Sequence, residues 1–151
     1  MQLHHLIYYS RNSVGGDDRA HINHLRDILS ASQRNNRRQG ITGYLIYDKQ
    51  WFLQVLEGER ASIFNAYERI LNDPRHGGLT LVQSGPVVQR SFPSWDMGGS
   101  MRTVEKQEIF LRYGIAGQFE PKKLTGGTIL SLAIELQAFE QSQRAALRKA
   151  V

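Results

Sequence analysis

Residues 41–57 read ITGYLIYDKQWFLQVLE, two runs rich in β-branched and aromatic residues on either side of Asp48-Lys49-Gln50. Runs 41–47 and 51–57 are strand-forming, and the short polar link between them predicts a β-hairpin. Gly58 ends it. Upstream, Ile22, Leu25, Ile28 and Leu29 recur at helical spacing after Asp17 and Asp18, either of which can cap a helix. That stripe fades at Gln33, and Gly40 supplies an exit from the helix. Farther upstream, residues 2–9 (QLHHLIYY) read as a buried strand. Downstream, Ile63, Tyr67, Ile70 and Leu71 share one face of a second helix, which Asn72-Asp73-Pro74 stops. Residues 79–89 supply a further strand, with a kink expected at Gly85-Pro86, and 94–98 a short one.

The order β-α-β-β-α-β predicts an α+β fold of the ferredoxin-like type. Two right-handed crossovers lay both helices on one face of the sheet, and the space between those helices is a natural place for a ligand. Beyond about residue 100 the pattern changes. Thr103 can cap a short helix over 104–113 that ends at Gly114. After a Gly- and Pro-bearing link to Thr125-Gly126-Gly127-Thr128, the last helix carries Ile129, Leu130, Leu132, Ala133, Ile134, Leu136 and Phe139. So wide an apolar face requires cover from the core, the other sheet face or another subunit.

The chain has 151 residues, enough for one domain with a real core, and its 40% hydrophobic and 22% charged content is ordinary for a globular protein. No run approaches the roughly 20 apolar residues of a membrane span. The opening residues lack the basic and apolar regions of a signal peptide, so a cytoplasmic protein is expected. Cysteine is absent, which removes disulfides, thiolate metal sites and cysteine nucleophiles. The formal charge is +5. Much of the excess sits in Arg34, Arg37 and Arg38 and in Arg144, Arg148 and Lys149. Both groups fall where helices end, and cations there offset the helix dipole. His4-His5 and the pair His21 and His24 fix no third ligand, so no metal is assigned.

Several segments carry a more specific signal. They are Leu6-Ile7-Tyr8-Tyr9-Ser10, Ser32-Gln33-Arg34-Asn35-Asn36, Gly40 to Gly43, Phe52 to Gly58 with Gln54 and Glu57, Arg69 through His76, and Phe92-Pro93-Ser94-Trp95-Asp96-Met97. In this order and spacing the chain resembles the BLUF family of blue-light sensors over residues 1–98. The resemblance implies a flavin-binding photosensory domain at 1–98 and a helical extension at 99–151 for signal output or oligomer contact. It implies FAD as cofactor, with FMN or riboflavin possible.

Tyr8 and Gln54 would then be the photoactive pair. Blue light excites the flavin, Tyr8 gives up an electron and then a proton, and Gln54 emerges with changed hydrogen bonds. Rotation of the Gln54 amide and a shift to its imidic tautomer both exchange donor for acceptor. The thiol-adduct route of other flavin sensors is closed, since there is no cysteine. By position, Asn35 and Asn36 would hold the ring's polar edge and Ile28, Phe52 and Ile70 would wall it. Arg69 and Asp73 would lie near the ribityl chain and Arg75 and His76 near the phosphates, while Trp95 and Met97 would relay the signal.

Residue by residue, other readings stand beside these. Tyr8 alone reads as a core tyrosine. Gln54 can face either side of the sheet, because Leu53 and Val55 are equally good core residues. Asn35-Asn36 reads as a helix end, and Arg69 with Asp73 as an i,i+4 surface ion pair. A flavin-dependent oxidoreductase is the competing enzyme class, weakened by the lack of a G-x-G-x-x-G fingerprint. An RNA-binding domain is suggested by Tyr44, Tyr47 and Trp51 near Lys49, but no RNP-like motif accompanies them. Residues 99–151 are too few for a catalytic effector domain, so no enzyme is expected here. The signal would pass to a downstream effector protein, with a homo-oligomer as the expected state and neither membrane nor nucleic acid as partner.

Overall fold

In the computed structural model, which describes residues 2–14, 18–94 and 97–149, the hairpin forms as β2 (Thr42–Tyr47) and β3 (Trp51–Glu59). Asp48 closes it, its Oδ1 accepting from the backbone N–H of Gln50 at 2.7 Å and of Trp51 at 2.8 Å, as an Asx turn does. Both strands are buried along nearly their whole length, the pattern of strands covered on two faces.

β1 (Leu3–Asn12) pairs with β3 on one side and β4 (His76–Pro86) on the other, both antiparallel. The sheet order is β4-β1-β3-β2-β5, and β5 (Gly98–Met101) adds to β2 in parallel. The first four strands thus give the expected ferredoxin-like order, with a fifth strand on the β2 edge. Several boundaries differ from expectation: β1 runs to Asn12 rather than ending at residue 9, and β3 continues through Gly58 to Glu59. The strand expected over 79–89 starts three residues earlier and ends at Pro86, whose missing N–H suits a strand terminus. The short strand expected over 94–98 begins only at Gly98; at Gly99 a Cβ would meet the Leu29 side chain at 2.9 Å.

α1 (Asp18–Gln39) and α2 (Arg60–Leu71) lie on one sheet face. Leu25, Ile28, Ile63 and Ala66 pack there against Leu6, Tyr8, Leu45, Phe52 and Leu56. Ile22 and Leu71, read from the sequence as part of these apolar stripes, are 41% and 50% exposed. At about 100° per residue each falls on the rim of its helix's buried arc.

The opposite face is covered by the C-terminal segment. A 3-10 turn (Val104–Lys106), α3 (Gln107–Arg112), a second 3-10 turn (Pro121–Lys123) and α4 (Gly126–Lys149) follow β5. Thr125 Oγ1 accepts from the Thr128 N–H at 3.1 Å, capping α4. Ile129, Leu132, Ala133 and Leu136 of α4 then pack on Ile7, Tyr44, Ile46, Leu53 and Val55. Of the three possible covers for this helix, the underside of the sheet is the one used; Ile134 stays 40% exposed. Among the described residues no helix is long and apolar enough to cross a membrane.

Because α4 supplies Ile129, Leu132, Ala133 and Leu136 to that core layer, truncation of the fully buried Leu132 is a test of that docking. Leu132→Ala is expected to lower stability by roughly 2–5 kcal/mol, measured by urea denaturation. A loss within a few tenths of a kcal/mol would mean that α4 is not part of the cooperative fold.

Candidate functional site

Between α1 and α2, above the sheet, lies a cleft with about 690 Å³ of empty space, its open mouth included. α1 contributes Ile28, Ala31, Ser32, Asn35 and Asn36, positions spaced by three and four residues that share one helix face. Leu45, Gln54 and Leu56 form the floor, Ala66, Arg69 and Ile70 of α2 the far wall, and Asp73, Arg75 and His76 the end where α2 passes into β4. An apolar middle with polar groups at its ends suits a flat, largely apolar ring system with one polar edge and a polar tail.

The floor holds an unusual polar chain. Tyr8 and Gln54 are register partners on antiparallel β1 and β3, and directly opposed residues project to the same face. The Tyr8 hydroxyl donates to Gln54 Oε1, and Gln54 Nε2 donates to Met97 Sδ at 3.2 Å. All three side chains are buried, at 0%, 4% and 1% exposure. Burial, with the nearby Tyr67 and Asp73, pushes the Tyr8 phenol well above its ordinary pKa, so it stays a neutral donor. An amide has two N–H donors and two oxygen lone pairs. Tyr8 and Met97 engage one of each, which leaves Gln54 one donor and one acceptor for the cleft among the described residues.

Met97 reaches Gln54 because two neighbours make room and hold it. Gln33 Nε2 donates to the Met97 carbonyl at 3.0 Å. Gly43 faces the Met97 methyl, where a Cβ would stand 3.1 Å from it and 2.0 Å from the Val55 carbonyl oxygen.

At the other end of the cleft, Arg75 grips Asp73 with Nη2 to Oδ2 at 2.6 Å and Nε to Oδ1 at 2.9 Å. That hydrogen bonding lowers the Asp73 pKa and raises that of Arg75. The i,i+4 pair of Arg69 with Asp73 is therefore not formed: Arg69 Nη2 donates to Gln39 Oε1 at 3.3 Å instead. His76 lies against Phe52, ring centroids 4.5 Å apart, with Nδ1 2.8 Å from Ser10 Oγ. Burial lowers its pKa to about 4, Asp73 opposing and Arg75 adding to the shift. His76 thus offers the cleft a neutral imidazole rather than a cation.

The family model described as BLUF, sensors of blue-light using FAD, matches residues 3–98. The chain belongs to this family. The photoactivated adenylate cyclase subunit beta of Euglena gracilis is 40% identical to it over 70 residues, 46% of this chain and 8% of that protein. The chain therefore spans a small fraction of the curated relatives it matches. Among solved structures, the photo-activated state of BlsA superposes with a TM-score of 0.77 at 29% identity, covering 89% of this chain and 94% of that one. The dark state of BlrB, a BLUF protein, gives 0.69 at 29% identity, covering 87% and 96%.

In this BLUF chain, the residues singled out from the sequence are not all equivalent. Ile28, Asn35, Asn36, Gln54, Arg69, Ile70, Asp73, Arg75 and His76 line the cleft. Tyr8 and Met97 do not; they lie behind Gln54 and hold it. Phe52, expected as a ring wall, sits under His76 instead, and Trp95 lies outside the described residues. Ala31, Ser32, Leu45, Leu56 and Ala66 were not anticipated as lining residues. For Ala31 and Ser32 the signal is helical spacing from Ile28 and Asn35, for Ala66 spacing from Ile70, and for Leu56 strand parity with Gln54; Leu45 is placed by its register opposite Gln54.

The lowered His76 pKa carries a sign. Between about 6.5 and about 4 the unfolded chain binds a proton that the fold refuses, so the stability contributed above that window is lost as pH falls through it. Denaturation midpoints are expected to drop from pH 6.5 to 4, and to drop less in His76→Gln. An imidazole NMR titration centred near 6.5 would contradict this.

Proposed function

We propose that this chain is a blue-light switch in which Tyr8 supplies an electron and a proton and Gln54 stores the result as a changed hydrogen-bond pattern. The observation that carries this reading is the buried chain Tyr8 to Gln54 to Met97 on the floor of the cleft between α1 and α2. FAD, favoured over FMN and riboflavin by the family's description, would supply a blue-absorbing ring that is a strong oxidant when excited. Asn35, Asn36 and the free positions of Gln54 would meet its polar edge. Ile28, Leu45, Leu56 and Ile70 would enclose its apolar body, and Arg69, Arg75 and His76 would serve the polar tail.

The chain's own part follows from burial. Removing an electron from Tyr8 would leave a cation on a fully buried side chain, closed off from solvent. The proton therefore departs along the existing bond to Gln54 Oε1, the acceptor already in place. A carboxamide that has taken part in such an exchange can return with donor and acceptor exchanged, by rotation, which interchanges oxygen and nitrogen, or by tautomerisation, which moves a proton from nitrogen to oxygen. Either way the cleft meets a changed donor and acceptor pattern; on rotation Tyr8 also faces the amide nitrogen and Met97 Sδ loses its N–H partner.

In this reading the chain is not an enzyme. Its lit state alters affinity for a downstream effector protein in the cytoplasm, by no more than the free-energy difference between its two states. Coupling to an effector is supported by the named cyclase relative, a far longer protein. Homo-oligomerisation belongs to the same reading, but the apolar face of α4 no longer argues for it, since the sheet covers that face.

Purified protein loaded with FAD is expected to show a flavin spectrum that moves to longer wavelength under blue light and reverts in darkness. Gln54→Leu is expected to keep flavin bound and lose the shift, and Tyr8→Phe to block the normal photocycle. Wild-type-like shifts in both variants would overturn the assignment, and steady NAD(P)H oxidation in the dark would favour an oxidoreductase.

A further inference from the structure

β4 and β5 lie on opposite edges of the sheet, so residues 87–97 must cross the ends of all the strands between them before Met97 reaches Gln54. This crossover has no regular secondary structure among its described residues. What holds it is Glu57, three residues beyond Gln54 on β3 and 1% exposed. Its parity is that of Leu53 and Val55, so it points to the α4 side while Gln54 faces the cleft.

The Glu57 carboxylate is not left unpaired. Oε1 accepts from the Phe92 N–H at 2.7 Å and from Thr42 Oγ1 at 2.9 Å, and Oε2 accepts from the Ser91 N–H at 2.9 Å. The Thr42 hydroxyl in turn accepts from Arg90 Nη1 at 2.8 Å, which links a cation to the carboxylate through one oxygen. Arg90 also donates to the Glu57 carbonyl at 3.1 Å and to the Gly40 carbonyl at 2.8 Å. A buried carboxylate costs several kcal/mol unless its oxygens are satisfied. Two of the three groups satisfying it here are backbone N–H groups of the crossover, so the residue's need for partners fixes the crossover's path. Phe92, pinned in this way, is fully buried and stacked on Tyr44 with ring centroids 5.5 Å apart.

We infer that Glu57 is a positioning residue for the light switch: its carboxylate anchors Ser91 and Phe92 so that Met97 presents its sulfur to Gln54. This rests on the switch reading above. Glu57 lies outside the cleft, so it is a separate handle on how fast the switch returns, not on whether flavin binds. Loosening the anchor frees Met97 and lowers the barrier for Gln54 to return to its dark arrangement.

Glu57→Gln is nearly isosteric but sets an NH2 group against a backbone N–H. In FAD-loaded protein this variant is expected to keep the dark spectrum and the light-induced shift, and to recover in darkness about three- to tenfold faster. In a Met97→Ala background the same substitution is expected to change recovery little, because the path through Met97 is already cut. Thr42→Val, which keeps Glu57 and removes one of its donors, is expected to accelerate recovery about twofold and serves if Glu57→Gln does not fold. Unchanged recovery in these variants, or equal acceleration with and without Met97, would overturn the assignment. Absence of any light-induced shift in the unmodified protein is a different result and would overturn the switch reading itself.

Discussion

The structure depends on a phenol and a carboxamide facing each other inside a sheet covered on both sides. Tyr8 and Gln54 are opposed across β1 and β3, two of the three strands flanked by neighbours on either side. Gln54 left without partners there would cost about 1–3 kcal/mol. Tyr8 and Met97 meet that need while leaving one donor and one acceptor directed to the cleft. A group whose two ends differ chemically, but whose shape barely changes on reversal, is suited to hold two states of similar energy.

The two sheet faces divide the work. The face under α1 and α2 is opened into a cleft, while the face under α4 is closed by aliphatic and aromatic packing. Closure on one side lets the strands stay rigid where the other side lacks filling. The crossover from β4 to β5 is the element that touches both, bound to Glu57 on the closed side and ending at Met97 against the open side. Beyond it, Ser100 of β5 donates to Glu140 of α4 at 3.2 Å, and Lys106 pairs with Glu140 at 2.6 Å, so β5 is tied to the C-terminal helix by polar contacts as well.

Charge near Tyr8 and Gln54 is balanced rather than left free. Asp73 and Arg75 neutralise one another at the cleft's end, and His76 is held uncharged by burial. A full charge next to Tyr8 would bias the phenol's ionisation strongly in so dry a place. The arrangement leaves hydrogen-bond direction, not charge, as the variable that the site can change.

Much of this was legible in the residue order. Periodicity established the strands, the two helices and their sequence, because the hydrophobic pattern of each element follows its own geometry. The ordered segments around Tyr8, Asn35-Asn36, Gln54 and Arg69 to His76 located most of the cleft, because spacing along one helix or strand maps directly onto one face. Which face Gln54 takes was open, since Leu53 and Val55 satisfied the other side equally well; only the register with Tyr8 and the packing of α4 on the odd-numbered residues of β3 resolved it. The ion pair of Asp73 with Arg75 rather than Arg69, the place of Phe52 beneath His76 and the grip of Glu57 on the crossover were likewise decided by tertiary structure. Those contacts join residues whose approach depends on how separate elements pack, and no local pattern encodes that.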